Sequence, residues 1–135
     1  MAFPATLRQT QQRESIYKFL DESSLPLTPE AIHEQLKDKI DLSTVYRTLD
    51  VFHKAHVVHK LLLDNKIYYY LASEDHKHFL ICLACHHISE IHSCPFHVFE
   101  HKIEKETDFH VTYHPVELYG YCKECKKLDK NHKTS

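Results

Sequence analysis

Four of the five cysteines fall into two matched pairs, Cys82 and Cys85 in the stretch CLAC and Cys122 and Cys125 in CKEC. Two thiolates three positions apart can both reach one tetrahedral Zn2+ through a tight turn, and a second such turn completes a closed four-sulfur site. The 36 residues between the pairs are more than a compact zinc ribbon holds. A metal bound there would clip distant strand ends together rather than fold a small finger. A redox reading of either pair lacks the thioredoxin-like βαβ context, and the match between the two pairs favours a shared structural ion.

The rest of the composition agrees with a packed chain. It has 135 residues, 42% hydrophobic and 27% charged, with eight Tyr, seven Phe and one Gly. That length suits one domain, or two small ones that lean on a metal or on a partner chain. The start, MAFPATLRQTQQRES, has no apolar run after a basic segment, and no window approaches the ~18 apolar residues of a membrane span. The expectation is a cytoplasmic protein with no membrane partner, where reduced thiols bind metal rather than form disulfides. At a net charge of −2 and a pI near 6.7 the chain is no general polyanion binder. Any nucleic-acid contact must come from a shaped element with a local patch.

Periodicity divides the chain. QQRESIYKFLDE spaces Ile16, Phe19 and Leu20 as a helix, and SSLPLTP breaks it. Thr28 and Pro29 predict the cap and first residue of a second helix with Ala31, Ile32 and Leu36 on its apolar stripe. Ser43 is the expected cap of a third, TVYRTLDVFHKA, with Val45, Leu49 and Phe52 inward and Tyr46, Arg47, Asp50 and Lys54 outward. Two β-like runs, HVVHKLLL and KIYYYLA, meet at the turn-prone Asp64-Asn65. Three helices and a hairpin is the order of a winged helix-turn-helix, whose third helix enters the major groove. Beyond the polar ASEDHK, strands are expected in HFLICLA, HHISEIH and FHVTYHPVELYGYC. Between them PFHVFEHKIEKE reads as a helix capped by Ser93, with Phe96, Phe99 and Ile103 inward and His97, Glu100, His101 and Glu104 opposite. The expected class is α+β: a winged helix-turn-helix over 1–72, a hinge at 73–77, and a small α/β metal-binding and dimerisation domain over 78–135. So thin a layer commonly dimerises.

Histidine is concentrated in the second half. His76 and His78 share a face of an extended segment, as do His110 and His114, and His97 lies on the intervening helix. Imidazoles from two strands and a helix can converge on a second ion.

These residues together resemble the ferric uptake regulator family, over about residues 7 to 126. The resemblance rests on LRQTQQR before the first helix, LSTVYRTLDVF, the HxH before CLAC, HPVELYGYC and the closing CxxC. CLAC followed by EIHSCP most resembles the zinc uptake regulator branch, although His86 replaces the Gly that usually follows the first pair. The resemblance implies a dimeric winged-helix repressor that binds a palindromic double-stranded DNA operator when loaded with metal and is not an enzyme. Of two sensing sites in the family, one falls here on Pro26, Tyr70, Lys77 and Phe79 and is expected to be lacking. The other falls on His76, His78, His97 and His114, with Glu90, Glu100 and His101 as alternatives.

An imidazole-rich set suits Zn2+, and also Ni2+ or Cu2+, better than ferrous or manganous ions. The expectation is therefore one structural and one regulatory Zn2+ per chain, no other small-molecule substrate, and control of metal-uptake genes. The resemblance also implies that Tyr46 and Arg47 reach the major groove, Tyr46 against thymine methyls and Arg47 donating to phosphate or guanine, with Ser43, Thr44, Arg8 and Arg13 as phosphate candidates. The alternatives are the same scaffold sensing iron, manganese, nickel or peroxide, a zinc hydrolase, and a constitutive DNA-binding protein. Cys94, beside Pro95, is left as a core thiol or a redox modulator.

Overall fold

The computed structural model describes residues 2–72, 77–92, 94–112, 114 and 116–128. The chain divides into two compact units, Met1–Glu74 and Asp75–Ser135. Of the expected hinge only Lys77 is among the described residues; His76 and the expected cap Ser93 lie outside them.

In the first unit, α1 (Gln11–Glu22), α2 (Pro29–Leu36) and α3 (Leu42–Lys54) are followed by the hairpin β1 (Val58–Leu63) and β2 (Lys66–Leu71). Thr10 and Thr28 cap α1 and α2, accepting from the backbone N–H groups of Arg13 and Ala31 at 3.1 Å. At α3 the expected cap is corrected. Ser43 lies within the first turn, and Asp41 caps instead, its Oδ1 accepting from the Thr44 N–H at 2.9 Å. Asp41 keeps extended backbone, and its carboxylate faces the positive helix end, which a carboxylate complements better than a hydroxyl.

Ile16, Ile32, Val45, Leu49 and Phe52 are fully buried and form one core with Tyr17, Leu20, Ile40, Val58, Tyr69 and Leu71. Phe3 closes it, its ring meeting Tyr17 and Phe52 edge-on. Ala31, expected inside, is exposed, because the inward face of α2 runs through Pro29, Ile32 and Leu36. Asp64 and Asn65 have φ of 52° and 61°, the left-handed pair that a two-residue hairpin turn needs. Leu27 and Tyr69 exchange backbone hydrogen bonds of 2.8 and 2.7 Å, tying the hairpin to the segment before α2. Tyr46, Arg47, Asp50 and Lys54 stay on the exposed face of α3.

The second unit holds β3 (His78–Cys82), β4 (Ile88–Ile91), α4 (Phe96–Thr107) and β5 (Glu117–Gly120), with a single 3-10 turn at Lys126–Leu128. The sheet order is β4-β3-β5, antiparallel between β3 and β4 and parallel between β3 and β5.

Two expectations fail here. The last strand does not reach back to Phe109, so His110 and His114 share no strand face; His110 is exposed beside Glu104, while His114 turns inward. On α4, Phe99 is 62% exposed, and the inward positions are Phe96, Glu100, Ile103 and Glu104. The two carboxylates take that face because both find partners there. Glu104 accepts from the Val111 N–H at 3.1 Å, and Glu100 meets His114.

Candidate metal centres

β3 carries a candidate centre at each end. Its C-terminal residue Cys82 pairs in register with Gly120, and the Leu83 N–H donates to the Gly120 carbonyl at 2.7 Å. That register sets the turn bearing Cys85 beside the turn bearing Cys122 and Cys125. The four Sγ atoms lie within 4.8 Å of one another, Cys85 and Cys122 being 3.8 Å apart. Four Zn–S bonds of about 2.3 Å in a tetrahedron place sulfurs about 3.8 Å apart, so the group fits a Zn2+ ion.

The thiols are also unequal. Backbone N–H groups of Cys85 and Cys122, 3.5 and 3.4 Å away, donate to Cys82 Sγ and pull its pKa down to about 6. The adjoining Cys122 thiol and burial push Cys125 up to about 12. Four thiols this close cannot all ionise without a cation among them, and a divalent ion supplies it. His86 closes the first turn with a φ of 64°, its N–H donating to the Cys82 carbonyl at 3.0 Å.

At the other end, about 13 Å along the strand, β3 begins with His78, which is 2% exposed. Three chain segments return to it. β4 runs back antiparallel so that Ile91 lies opposite His78, which brings Cys94 near. β5 starts beside Phe79, so the residues just before it, His114 and Val116, flank the same histidine. His78 Nε2 is 3.3 Å from Cys94 Sγ and 3.1 Å from His114 Nε2, and Cys94 Sγ is 3.0 Å from His114 Nε2. These separations are shorter, by about half an ångström at most, than the ~3.3–3.6 Å that tetrahedral Zn–N and Zn–S bonds require, so a small outward shift of the side chains admits the ion.

The ring orientations fit a metal too. His78 Nδ1 lies 3.0 Å from the Val116 carbonyl oxygen, which can only accept, so Nδ1 carries the proton and Nε2 keeps its lone pair for the cluster. Phe96 covers the two rings, with centroids 5.5 Å from His78 and 5.4 Å from His114.

The expected ligands divide accordingly. His78 and His114 come together, and His76 lies outside the described residues. His97 lies beside the cluster rather than in it: its ring meets His114 edge-on at 5.8 Å, its side chain is 65% exposed, and its Nδ1 is 3.9 Å from Glu100 Oε2. Glu90 pairs with Phe79 and so shares the face opposite His78, while His101 is exposed on α4. Cys94 takes the third place. The sequence offered Cys94 only as a core thiol or a redox modulator, because nothing in its spacing from His78 or His114 marks a shared site.

In the first unit, Arg47 Nη2 donates to Thr44 Oγ1 at 3.1 Å, and the Tyr46 hydroxyl donates to Glu30 of α2. Ser43 and Arg8 are exposed, and the Arg13 guanidinium donates to the Arg8 carbonyl at 3.0 Å.

The ferric uptake regulator family model matches residues 4–119. The ferric uptake regulation protein of Campylobacter upsaliensis is 34% identical over 134 residues, covering 95% of this chain and 83% of that protein. The peroxide-responsive repressor PerR of Staphylococcus epidermidis is 34% identical over 127 residues, covering 91% and 84%. Among solved structures, the ferric uptake regulator of Francisella tularensis with iron superposes with a TM-score of 0.68 at 26% identity, covering 93% of this chain and 99% of that one.

Proposed function

The chain belongs to the ferric uptake regulator family of metal-responsive transcription regulators and is not an enzyme, and from that premise we propose that it is a zinc-responsive repressor. The relatives carry names for different signals, iron and peroxide, so the choice rests on the site. The observation that carries it is the convergence of His78, Cys94 and His114.

A thiolate with two imidazoles suits Zn2+. Ferrous or manganous sensing calls for more oxygen donors, and none of the three is an oxygen. Cys94 takes the place expected of His97, and His76, two residues before His78, is the fourth ligand of this proposal. The Cys82, Cys85, Cys122 and Cys125 group holds a second, structural Zn2+, giving two ions per chain. The closed four-sulfur group maintains the sheet; the other group reads the metal level.

On the DNA side, Tyr46 and Arg47 reach base edges from the exposed face of α3, and Ser43, Thr44, Arg8 and Arg13 meet phosphates. The active form is a cytoplasmic homodimer on a palindromic operator, with half-sites about 34 Å apart, upstream of metal-uptake genes. Support for a dimer comes from apolar side chains of the second unit that stay exposed, Val98 at 81%, Phe99 at 62% and Phe109 at 66%. His78, Cys94 and His114 favour repression only by binding metal more tightly in the DNA-competent arrangement, and operator binding tightens metal binding equally.

The test is operator affinity of chelator-treated protein, by fluorescence anisotropy, against Zn2+, Fe2+, Mn2+ and Ni2+ at buffered free concentrations. Zinc alone restores binding at the lowest free concentration, with two zinc ions per chain. Restoration by Fe2+ or Mn2+ but not Zn2+ overturns the reading, and peroxide-dependent release of the ferrous form identifies a peroxide sensor.

A further inference from the structure

We infer that Glu100 is the positioning residue of the regulatory site: it holds His114 by Nδ1, so that Nε2 presents its lone pair to the metal. This role rests on the zinc reading above.

The argument is one of ring geometry. His114 has two nitrogens on different sides of the imidazole. Nε2 faces His78 Nε2 and Cys94 Sγ at 3.1 and 3.0 Å. Nδ1 faces Glu100 Oε1, and both of those atoms are shut off from solvent. A carboxylate only accepts, so the proton between them belongs to His114 Nδ1. Glu100 therefore lies behind the ring, where it cannot share an ion bound at Nε2. This separates it from the role of helix carboxylate ligand, which the sequence left open for Glu100.

The same device appears on the other histidine, where the Val116 carbonyl holds His78 Nδ1 at 3.0 Å. With both Nδ1 atoms engaged, the two Nε2 lone pairs and the Cys94 sulfur face one another with a single thiol proton among them. That is an arrangement made for a cation. A carboxylate on the far nitrogen also raises the basicity of a metal-bound imidazole and fixes its plane. The helix turn explains why a glutamate occupies an inward position on α4: Phe96, Glu100 and Ile103 lie on one face, the first covering the rings and the second gripping one of them. Glu100 Oε2 extends the line outward to His97 Nδ1 at 3.9 Å, which accounts for His97 lying next to the site while its side chain is exposed.

The experiment compares wild type, Glu100→Ala and Glu100→Gln in the full chain. Ring 15N shifts of His114 are measured in protein that keeps its four-cysteine zinc but lacks the second ion, and affinity for the second Zn2+ is measured by chelator competition. In the wild type His114 is the Nδ1–H tautomer. Glu100→Ala shifts it toward Nε2–H and weakens the second zinc roughly 10–100-fold, with the first zinc retained as the sign of an intact fold. Glu100→Gln keeps an amide oxygen that can accept from Nδ1–H, so it retains the tautomer and binds zinc within a few-fold of wild type. An unchanged tautomer and affinity in Glu100→Ala overturns the inference. A Glu100→Gln protein as weak as Glu100→Ala also overturns it, because a lost ligand is not restored by an amide. If wild-type protein takes up only one zinc, the zinc-sensor reading itself has failed and this role with it; the His114 tautomer separates that failure from one belonging to Glu100 alone.

Discussion

Cys94 Sγ lies 3.0 Å from His114 Nε2, although twenty residues and the whole of α4 separate them in the chain. The pairing of β3 with both neighbours brings them to one end of the sheet beside His78. If that group is the regulatory site, Cys94 contributes its thiolate. Cys94→Ser then removes one thiolate-to-metal charge-transfer contribution from the second equivalent of Co2+ and lowers its affinity at least tenfold, while the first equivalent, held by four cysteines, is unchanged. An identical cobalt titration in wild type and Cys94→Ser would remove the thiol from the site.

If Cys82, Cys85, Cys122 and Cys125 hold zinc as proposed, its removal is expected to unfold the second unit and spare the first. The small sheet there has three strands, and a metal among the four sulfurs would clip the end of β3 to the segment after β5. In hydrogen exchange after strong chelation, amides of β3 and β5 lose protection, while those around Ile16, Leu49 and Phe52, in their own buried core, keep it. Loss of protection in both units together would show that the first depends on the metal as well.

Acid weakens the start of α3. The Thr44 hydroxyl and the Thr44 N–H donate to the Asp41 carboxylate and hold its pKa below the usual 3.8. Because the folded value lies below the unfolded one, the stabilisation is complete above about pH 5 and is lost as pH falls through the folded value, below about pH 4. Asn at this position caps without titrating. The stability difference between wild type and Asp41→Asn therefore stays constant above that window and moves against wild type below it. A difference that is flat down to pH 2 would remove Asp41 from the account.

His86 carries a φ of 64°, a conformation that disfavours any residue with a Cβ. Replacing it with Gly relieves the turn that follows Cys85. His86→Gly is expected to raise the stability of the zinc-loaded protein by about 1 kcal/mol with zinc stoichiometry unchanged, read as a shift in denaturation midpoint. A destabilised His86→Gly protein would show that the imidazole contributes more than the backbone conformation costs.

Local order is enough to read some of this protein directly from its sequence. The bounds of α1 and the apolar stripe of α3 follow from side-chain periodicity, and the hairpin follows from an Asp64-Asn65 pair suited to positive φ. The two CxxC pairs read as one four-sulfur group because each sits on a local turn and the two match, and their sulfurs do gather within 4.8 Å of one another. The α3 cap shows the limit of such reading: Asp41 and Ser43 are both good caps, and only the backbone path decides between them.

The second candidate site was decided by tertiary structure. His78 and His114 were legible as candidate donors, but their grouping with Cys94 was not, because the place of Cys94 depends on the register that sets Ile91 opposite His78. Nor was the inward face of α4 legible. An aromatic stripe through Phe99 is what hydrophobicity alone favours, yet Glu100 turns in because His114 is there to meet it. Sequence sets which donors a chain owns and how short stretches of it fold. Which donors share an ion is a matter of distance between segments far apart in the chain, and only strand pairing and helix packing set that distance.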